Sequence, residues 1–364
     1  MAINLKKLLE GVVRVSASDL HLKVGEPPMI RLHGQLHPID HPELTAEDTE
    51  AANEIMIPKK CRELLERDGT VDYSYGLTMT QRFRVNCYHQ RGVKSLAIRR
   101  LMSEEMTLED LNMPPQLAKF ADLRRGLVLV TGITGSGKSS TLSAILNMIN
   151  KDRREHIITI EDPIECVYKD HRSMIDQIEV GHDVSSFQCA LRHALRQDPD
   201  IILLGEIRDR ETMQTSMYCV ETGHLVFSTL HTRDAKQTIT RMVHLFPKEE
   251  EEAVFLQIAD DLEGVVCQRL LPTVDGKNRV PCCEVLFNNS VVKKLIREQR
   301  VLDIQQVMMT GQDGMHTFDM HMVNLVKSDQ VKLEDALQIV EDEAAFKRLL
   351  HGRSAGGDRG GLLG

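Results

Sequence analysis

Residues 132–139 read GITGSGKS, which matches the phosphate-binding spacing G-x-x-x-x-G-K-[ST]. The three glycines of this stretch allow the backbone to turn tightly and to point amide N–H groups at a chain of phosphates. Lys138 would bring a positive charge to the β- and γ-phosphates, and the Ser139 hydroxyl can ligate Mg²⁺. The residues expected to bind a nucleotide are Gly132, Thr134, Gly135, Ser136, Gly137, Lys138, Ser139 and Ser140.

The segments on either side of this loop are those that a phosphate loop needs. Residues 127–131 form a short apolar run with β-branched members, which is typical of a buried strand. Residues 141–149 have helical spacing, and a helix there would direct its positive amino end at the loop. A chance glycine turn before an ordinary helix would not require this context, so we favour the phosphate-binding interpretation.

Further apolar runs alternate with helical stretches downstream of the loop. These runs lie at residues 156–160, 201–204 and 225–230. The alternation predicts a parallel sheet covered by helices, in which ligands bind at the carboxyl ends of the strands. The residues that directly follow each run are therefore candidates for chemistry.

Polar side chains follow all three of these predicted strands. Glu161 comes after the first, Glu206 lies two residues beyond the second, and His231 comes after the third. Alone, each has a plain structural explanation, but three that converge on one phosphate loop predict a hydrolytic site. His224 is a lower-ranked candidate, because a spacing of seven residues within a strand would put it and His231 on opposite faces.

Residues 1–103 predict a small α+β domain with an amphipathic first helix. Strands are expected at 18–22, 29–32, 35–39, 73–77, 82–90 and 95–101, and helices at 45–55, where Thr45 and Asp48 would form a capping box, and 58–67. In QRFRVNCYHQ, at residues 81–90, Arg82 and Arg84 share one face of a strand. A solvated sheet face is the preferred explanation for Arg82.

The composition of the 364 residues sets limits on the class of protein. The content of hydrophobic residues is 41%, and no apolar run approaches the ~18 residues of a membrane helix. A net charge of −9 disfavours nucleic-acid binding. The eight cysteines form no C-x-x-C motif, so we expect reduced thiols rather than a zinc site or disulfides.

Several of these motifs resemble those of a known family. TIEDPIE at 159–165, LLGEIRD at 203–209 and ETGHLVFSTLHT at 221–232 resemble the Asp box, Walker B motif and His box of the type II/type IV secretion ATPases. SASDLHLKVGEPPMIRLHG at 16–34 and QRFRVNCYHQRG at 81–92 resemble one branch, the retraction ATPases of type IV pili. The similarity extends over nearly the whole chain, which is identified as a member of this family.

The resemblance implies an architecture and a set of partners. It implies an α/β protein with a PAS-like N-terminal domain (1–103), a linker (104–115), a RecA-like ATPase domain (116–351) and a disordered tail (352–364). It implies a homohexamer that uses ATP and Mg²⁺ to retract pili. The ring would work at the cytoplasmic face of the inner membrane with the pilus platform protein, without nucleic acid and without inserting into the membrane.

The resemblance also implies roles for individual residues. Glu161 would orient the attacking water, and Glu206 would act on Mg²⁺ through water beside Ser139. His231 would sense the γ-phosphate, with His224 nearby. Besides Glu161, Glu206, His231 and Lys138, two further catalytic candidates come from the N-terminal domain, where Arg84 and Arg99 would approach the nucleotide when the domains close.

Alternatives within and outside the family remain open. Extension ATPases carry a paired C-x-x-C insertion and a longer N-terminal region, and their lack here favours retraction. Residues 327–332, KSDQVK, replace an AGLIT-type motif of retraction ATPases, and Ile133 replaces a proline of the loop. An accessory retraction-like paralogue and a non-motor nucleotide-binding regulator are therefore retained as alternatives, whereas a nucleic-acid-dependent motor is disfavoured by the acidic charge.

Overall fold

The structure, a computed structural model, divides the chain into two compact units. It describes residues 3–32, 34–78, 81–101, 106–340 and 342–351. The first unit comprises Met1–Glu104, Asp162–Lys169 and Glu179–Ser185, and the second comprises Glu105–Glu161, Asp170–Ile178 and Ser186–Gly364. The domain prediction places both short segments of the first unit within 116–351. The predicted linker lies partly, and the predicted tail wholly, outside the described residues.

Among its described residues, the first unit contains one antiparallel sheet and three helices. Its helices are α1 (Leu5–Arg14), α2 (Ala46–Met56) and α3 (Lys59–Asp68). Its strands are β1 (Asp19–Leu22), β2 (Met29–Leu32), β3 (Gln35–Pro38), β4 (Thr70–Gly76), β5 (Arg82–Gln90) and β6 (Val93–Arg100). The strand order is β3-β2-β1-β6-β5-β4. These elements match the predicted ones closely, because strict alternation and turn residues mark each of them.

Two local predictions in this unit have clear outcomes. The capping box at the start of α2 is present, with Thr45 and Asp48 each accepting from the other's backbone N–H. The solvated position predicted for Arg82 is wrong: its side chain is 25% exposed and lies 3.8 Å from the buried Glu179 carboxylate. Phe83 and Val85 on the opposite face of β5 are fully buried, as the alternation predicts.

The second unit is built on a seven-stranded sheet. Its strands are β7 (Gly126–Thr131), β8 (His156–Glu161), β9 (Met174–Glu179, whose last residue belongs to the first unit), β10 (Ile201–Leu204), β11 (Leu225–Leu230), β12 (Leu262–Pro272) and β13 (Arg279–Phe287). The order is β13-β12-β7-β11-β10-β8-β9. The pairs β12–β7, β7–β11, β11–β10 and β10–β8 are parallel, and β12–β13 is antiparallel.

Helices complete the second unit. They are α4 (Lys138–Asp152), α5 (Phe187–Ala194), α6 (Arg210–Glu221), α7 (Ala235–Val243), α8 (Glu251–Asp261), α9 (Ser290–Arg297), α10 (Ile304–Met308), α11 (Phe318–Lys327), α12 (Leu333–Leu337) and α13 (Glu343–Leu350), with 3₁₀ segments at Pro115–Asp122, Lys248–Glu250, Val301–Asp303 and Gln312–Gly314. Within the described ranges, every helix is too short or too polar to span a bilayer.

The central strands are the best-predicted elements of the second unit. Every residue of β7, β10 and β11 is buried, which is the reason that these strands appear in the sequence as continuous apolar runs. Before β7, the sequence predicts a helix over residues 116–124, but the structure has the 3₁₀ segment Pro115–Asp122 there. All eight cysteines lie in the described ranges, and none of them forms a disulfide there.

Candidate nucleotide site

The phosphate loop at residues 132–139 links β7 to α4 and adopts a conformation that requires glycine. Gly132, Gly135 and Gly137 have φ values of 144°, 77° and 90°. A Cβ at Gly132 would overlap the carbonyl oxygen of Gln268, and one at Gly137 would lie 2.8 Å from Gln268 Nε2. The loop therefore lies directly against β12, with no room for side chains at two of its three glycines.

Gln268 supports this loop from the neighbouring strand β12. The parallel pairing of β12 with β7 reaches Cys267 opposite Thr131, so that Gln268 follows at the level of the loop. Its Oε1 accepts a hydrogen bond of 2.8 Å from the hydroxyl of Thr141 in the first turn of α4. Sequence reasoning missed Gln268, because local patterns do not reveal which strands pair.

The side chains of the loop provide a cation and hydroxyl groups. Lys138 is the first residue of α4, and its Nζ donates to the carbonyl oxygens of Gly132 and Ile133 at 3.0 and 3.1 Å. Thr134 and Ser139 are exposed, Ser140 is half-buried, and Ser136 is buried. The ammonium group thus lies at the loop, together with the amino end of a fifteen-residue helix.

Glu161 is the last residue of β8 and is buried, with 8% of its surface exposed. Its Oε1 accepts hydrogen bonds from Thr159 Oγ1 at 2.7 Å and from Gln177 Nε2 at 3.3 Å. Both groups are donors, and donors stabilise the ionised form of a carboxylate. The carboxylate is thereby held in a fixed orientation at the carboxyl end of the sheet.

Glu206 and His231 are brought together at the carboxyl ends of β10 and β11. Glu206 forms an ion pair with Arg208, and its Oε2 lies 3.2 Å from Nε2 of His231. Burial, with the positive charges of Lys138 and Arg208, lowers the pKa of His231. The ring is therefore neutral at pH 7, and the Nε2–H tautomer donates to the carboxylate.

The structure does not bring His224 to the phosphate loop of its own unit. His224 precedes β11, and its carbonyl oxygen accepts from the N–H of Gly126 at the start of β7. The six-residue strand β11 separates it from His231, a distance of about 20 Å at the usual rise per residue. Its ring Nδ1 instead contacts the carbonyl oxygen of Cys219 at 2.9 Å.

Arg84 and Arg99 are direct cross-strand neighbours on β5 and β6 of the first unit. Arg84 lies 3.5 Å from Asp72, and Arg99 Nε donates to Asp19 at 2.9 Å. The Arg99 side chain remains 70% exposed. The pair therefore presents two positive charges on one face of the first sheet.

Oxygen donors suited to a hard cation are present in the first turn of α4 and beyond the end of β10. Magnesium typically takes one or two protein oxygens and completes its shell with phosphate and water. The exposed Ser139 hydroxyl and the Glu206 carboxylate provide such oxygens. Over the described ranges, no group of three or more His, Cys, Asp or Glu side chains could hold a metal ion.

Comparison with known proteins decides the family. The family model for the type II/IV secretion system protein matches residues 1–352. This chain belongs to that family. The resemblance to this family that the sequence motifs indicated is thereby confirmed.

Individual relatives are similar to this chain over most of their length. The type IV pilus retraction ATPase PilT of Pseudomonas aeruginosa is 40% identical over 335 residues, covering 92% of this chain and 97% of the relative. A twitching motility protein of Neisseria gonorrhoeae is 42% identical over 310 residues, covering 85% and 83%. A crystal structure of the pilus retraction motor PilT with bound ADP has a TM-score of 0.88 at 40% identity, covering 96% of this chain and 99% of that one. The similarity to this structure confirms the predicted α/β fold class of the chain.

Proposed function

We propose that this ATPase is a motor that retracts type IV pili and so drives twitching motility. The observation that carries the proposal is the convergence of the phosphate loop with Glu206 and His231 at one edge of the sheet, with Glu161 at the end of β8. The similarity to PilT and to a twitching motility protein over most of the chain supports the choice of pilus retraction among the tasks of the family.

The loop binds the phosphates of ATP through its backbone N–H groups and Lys138. Lys138 stabilises the negative charge that develops on the γ-phosphate, since its ammonium group lies at the loop. Ser139 and Glu206 are the residues that would hold Mg²⁺. Bound Mg²⁺ neutralises phosphate charge during transfer.

Glu161 orients the water that attacks the γ-phosphate. Its carboxylate can accept a proton from water, and hydrogen bonds from Thr159 and Gln177 keep it directed. His231 lies beside Glu206 at the carboxyl end of β11, and through this pair it would sense the γ-phosphate. The products are ADP and phosphate.

Assembly as a homohexamer would let hydrolysis become movement. Arg84 and Arg99 lie on a different compact unit from the phosphate loop, so they stabilise charge on a nucleotide only when a first unit closes on it. Closure coupled to ATP and relaxed after hydrolysis gives a mechanical stroke. The ring works at the cytoplasmic face of the inner membrane, against the pilus platform protein.

Deletion of the gene in its host tests this function. We expect deleted cells to keep surface pili and lose twitching, and the wild-type gene to restore it. Lys138→Ala should not restore twitching, whereas the exposed-lysine control Lys294→Ala should. Normal twitching in deleted cells would contradict a role as the main retraction motor, and restoration by Lys138→Ala would contradict a role for ATP hydrolysis.

A further inference from the structure

Two side chains on β9 connect the candidate water-orienting residue to a buried site of the first unit. Gln177 and Glu179 are two residues apart in the strand and therefore point to the same face. Gln177 Nε2 donates to Glu161 Oε1 at 3.3 Å. Glu179 accepts hydrogen bonds of 2.8 Å from the hydroxyl of Ser74 at both carboxylate oxygens.

Glu179 is held more firmly than an ordinary strand-end residue. It is only 4% exposed, and a carboxylate so buried needs compensating donors and charges. Ser74 provides the donor, and the Arg82 guanidinium lies 3.8 Å away. The backbone N–H of Glu179 also donates to the Asp183 carboxylate at 2.8 Å. This end of β9 is thus fixed by groups of the first unit.

The chain passes from the second unit to the first between Ile178 and Glu179. One strand therefore has an end in each unit, with the Gln177 side chain on Glu161 and the Glu179 side chain on Ser74. Resting on the proposed role of Glu161, we propose that Gln177 and Glu179 are positioning residues through which the first unit sets the orientation of the Glu161 carboxylate.

The dimensions of the strand make this transmission effective. Residues two apart in a strand are separated by about 7 Å of stiff, extended backbone, so a displacement of Glu179 is passed on to Gln177. The hydrogen bond from Gln177 to Glu161 is already long, and a further shift of a few tenths of an ångström breaks it. A displacement of about 1 Å in a catalytic group can cost about 10²-fold in rate.

Variants of the full-length chain test the two ends of β9 separately. Gln177→Met keeps the length of the side chain and removes the donor to Glu161. Ser74→Ala removes one hydroxyl from the first unit and leaves Glu161 and Gln177 intact. Ser95→Ala is the matched control, because Ser95 is a buried serine in the same sheet whose hydroxyl has no hydrogen-bond partner among the described residues.

We expect both test variants to lower kcat for ATP about tenfold or more and to leave KM within about twofold. Ser74→Thr keeps a hydroxyl and should recover most of kcat. Ser95→Ala should match the wild type.

Unchanged kcat in both Gln177→Met and Ser74→Ala would overturn the inference. The proposed function would still stand in that case, because the wild-type protein hydrolyses ATP. A rise in KM alone, or an equal loss of kcat in Ser95→Ala, would overturn the inference as well, since either marks a general structural defect. A wild-type protein that releases no phosphate from ATP would remove the proposed function, and this inference with it.

Discussion

Two carboxylates at opposite ends of the parallel strands in the second unit have different electrostatic surroundings. At the carboxyl edge, Glu206 has an ion pair with Arg208 and contacts His231. Asp261, which directly precedes β12 at the amino edge, is 9% exposed and lies near the like charges of Glu221 and Asp260. Burial and these two charges raise the pKa of Asp261 to about 6. Glu206 thus has a positive partner for its charge, whereas the charge of Asp261 is opposed by burial and by its neighbours.

Asp261→Asn should therefore stabilise the protein at alkaline pH. The folded-state pKa lies above the unfolded value, so the native state binds the proton more tightly and loses stability as pH rises through about 6. The amide imitates the protonated carboxyl, and we expect a gain of about 1 kcal/mol in the free energy of unfolding at pH 8 that shrinks by pH 5. Denaturant unfolding at both pH values measures it.

Asp260→Asn provides the control for this substitution. Asp260 is the neighbouring carboxylate, is 59% exposed and forms an ion pair with Arg297. Loss of this exposed ion pair costs at most about 1 kcal/mol, and loss of the Asp260 charge also relieves repulsion with Asp261, so we expect a smaller net change in stability than for Asp261→Asn. Asp261→Asn that is no more stable than wild type at pH 8 would show that the charge of Asp261 is compensated.

The residue identities of the site could be predicted better than their partners. Glu161, Glu206 and His231 were accessible from sequence, because strand ends in a parallel sheet meet at one edge. Gln177 and Gln268 were not, since each acts through the pairing or neighbourhood of strands that no local pattern specifies. His224 stays a lower-ranked prediction, and the six residues of β11 separate it from His231.

At the scale of elements, prediction followed the strength of the hydrophobic pattern. Strands buried on both faces, such as β7 and β11, have continuous apolar runs and were found. The edge strand β9 is half-polar and was missed. The segment Pro115–Asp122 has prolines at its start and forms 3₁₀ turns instead of the expected helix. The strand β9, which carries Gln177 and Glu179, thus has one of the weakest sequence patterns.

The whole molecule is divided in a way that sequence order does not follow. The short segments Asp162–Lys169 and Glu179–Ser185 belong to the first unit, although the chain on both sides of each belongs to the second. Composition and linker signals detect boundaries only where one long segment ends, so these crossings were not predicted. Residues on both sides of such a crossing are natural points for coupling the units.

Arg99→Ala should fold, bind nucleotide and lose most hydrolysis. Asp19, the partner of Arg99, keeps a bond from Ser18 and lies 3.8 Å from Arg31, so its charge is not left alone. Loss of an arginine that stabilises phosphoryl charge should lower kcat by at least about tenfold. Phosphate release, nucleotide affinity and mass by light scattering measure the three properties.

Arg62→Ala is the control for the arginine substitution, since Arg62 is an exposed arginine of the same unit in an ion pair with Glu54. It should keep wild-type kcat. Full activity of Arg99→Ala would mean that this arginine takes no part in hydrolysis. Loss of nucleotide affinity in step with kcat would mark it instead as a binding or folding residue.

Steady-state phosphate release from ATP is the most direct measurement of whether the loop and the strand-end carboxylates form an ATPase site. The wild-type chain should release phosphate only with Mg²⁺, and Lys138→Ala should abolish turnover. Glu161→Gln should still bind ATP and lose about 10²-fold or more in kcat, the usual effect of losing a catalytic base. Wild-type turnover in Lys138→Ala, or an equal loss of ATP affinity and kcat in Glu161→Gln, would contradict this assignment.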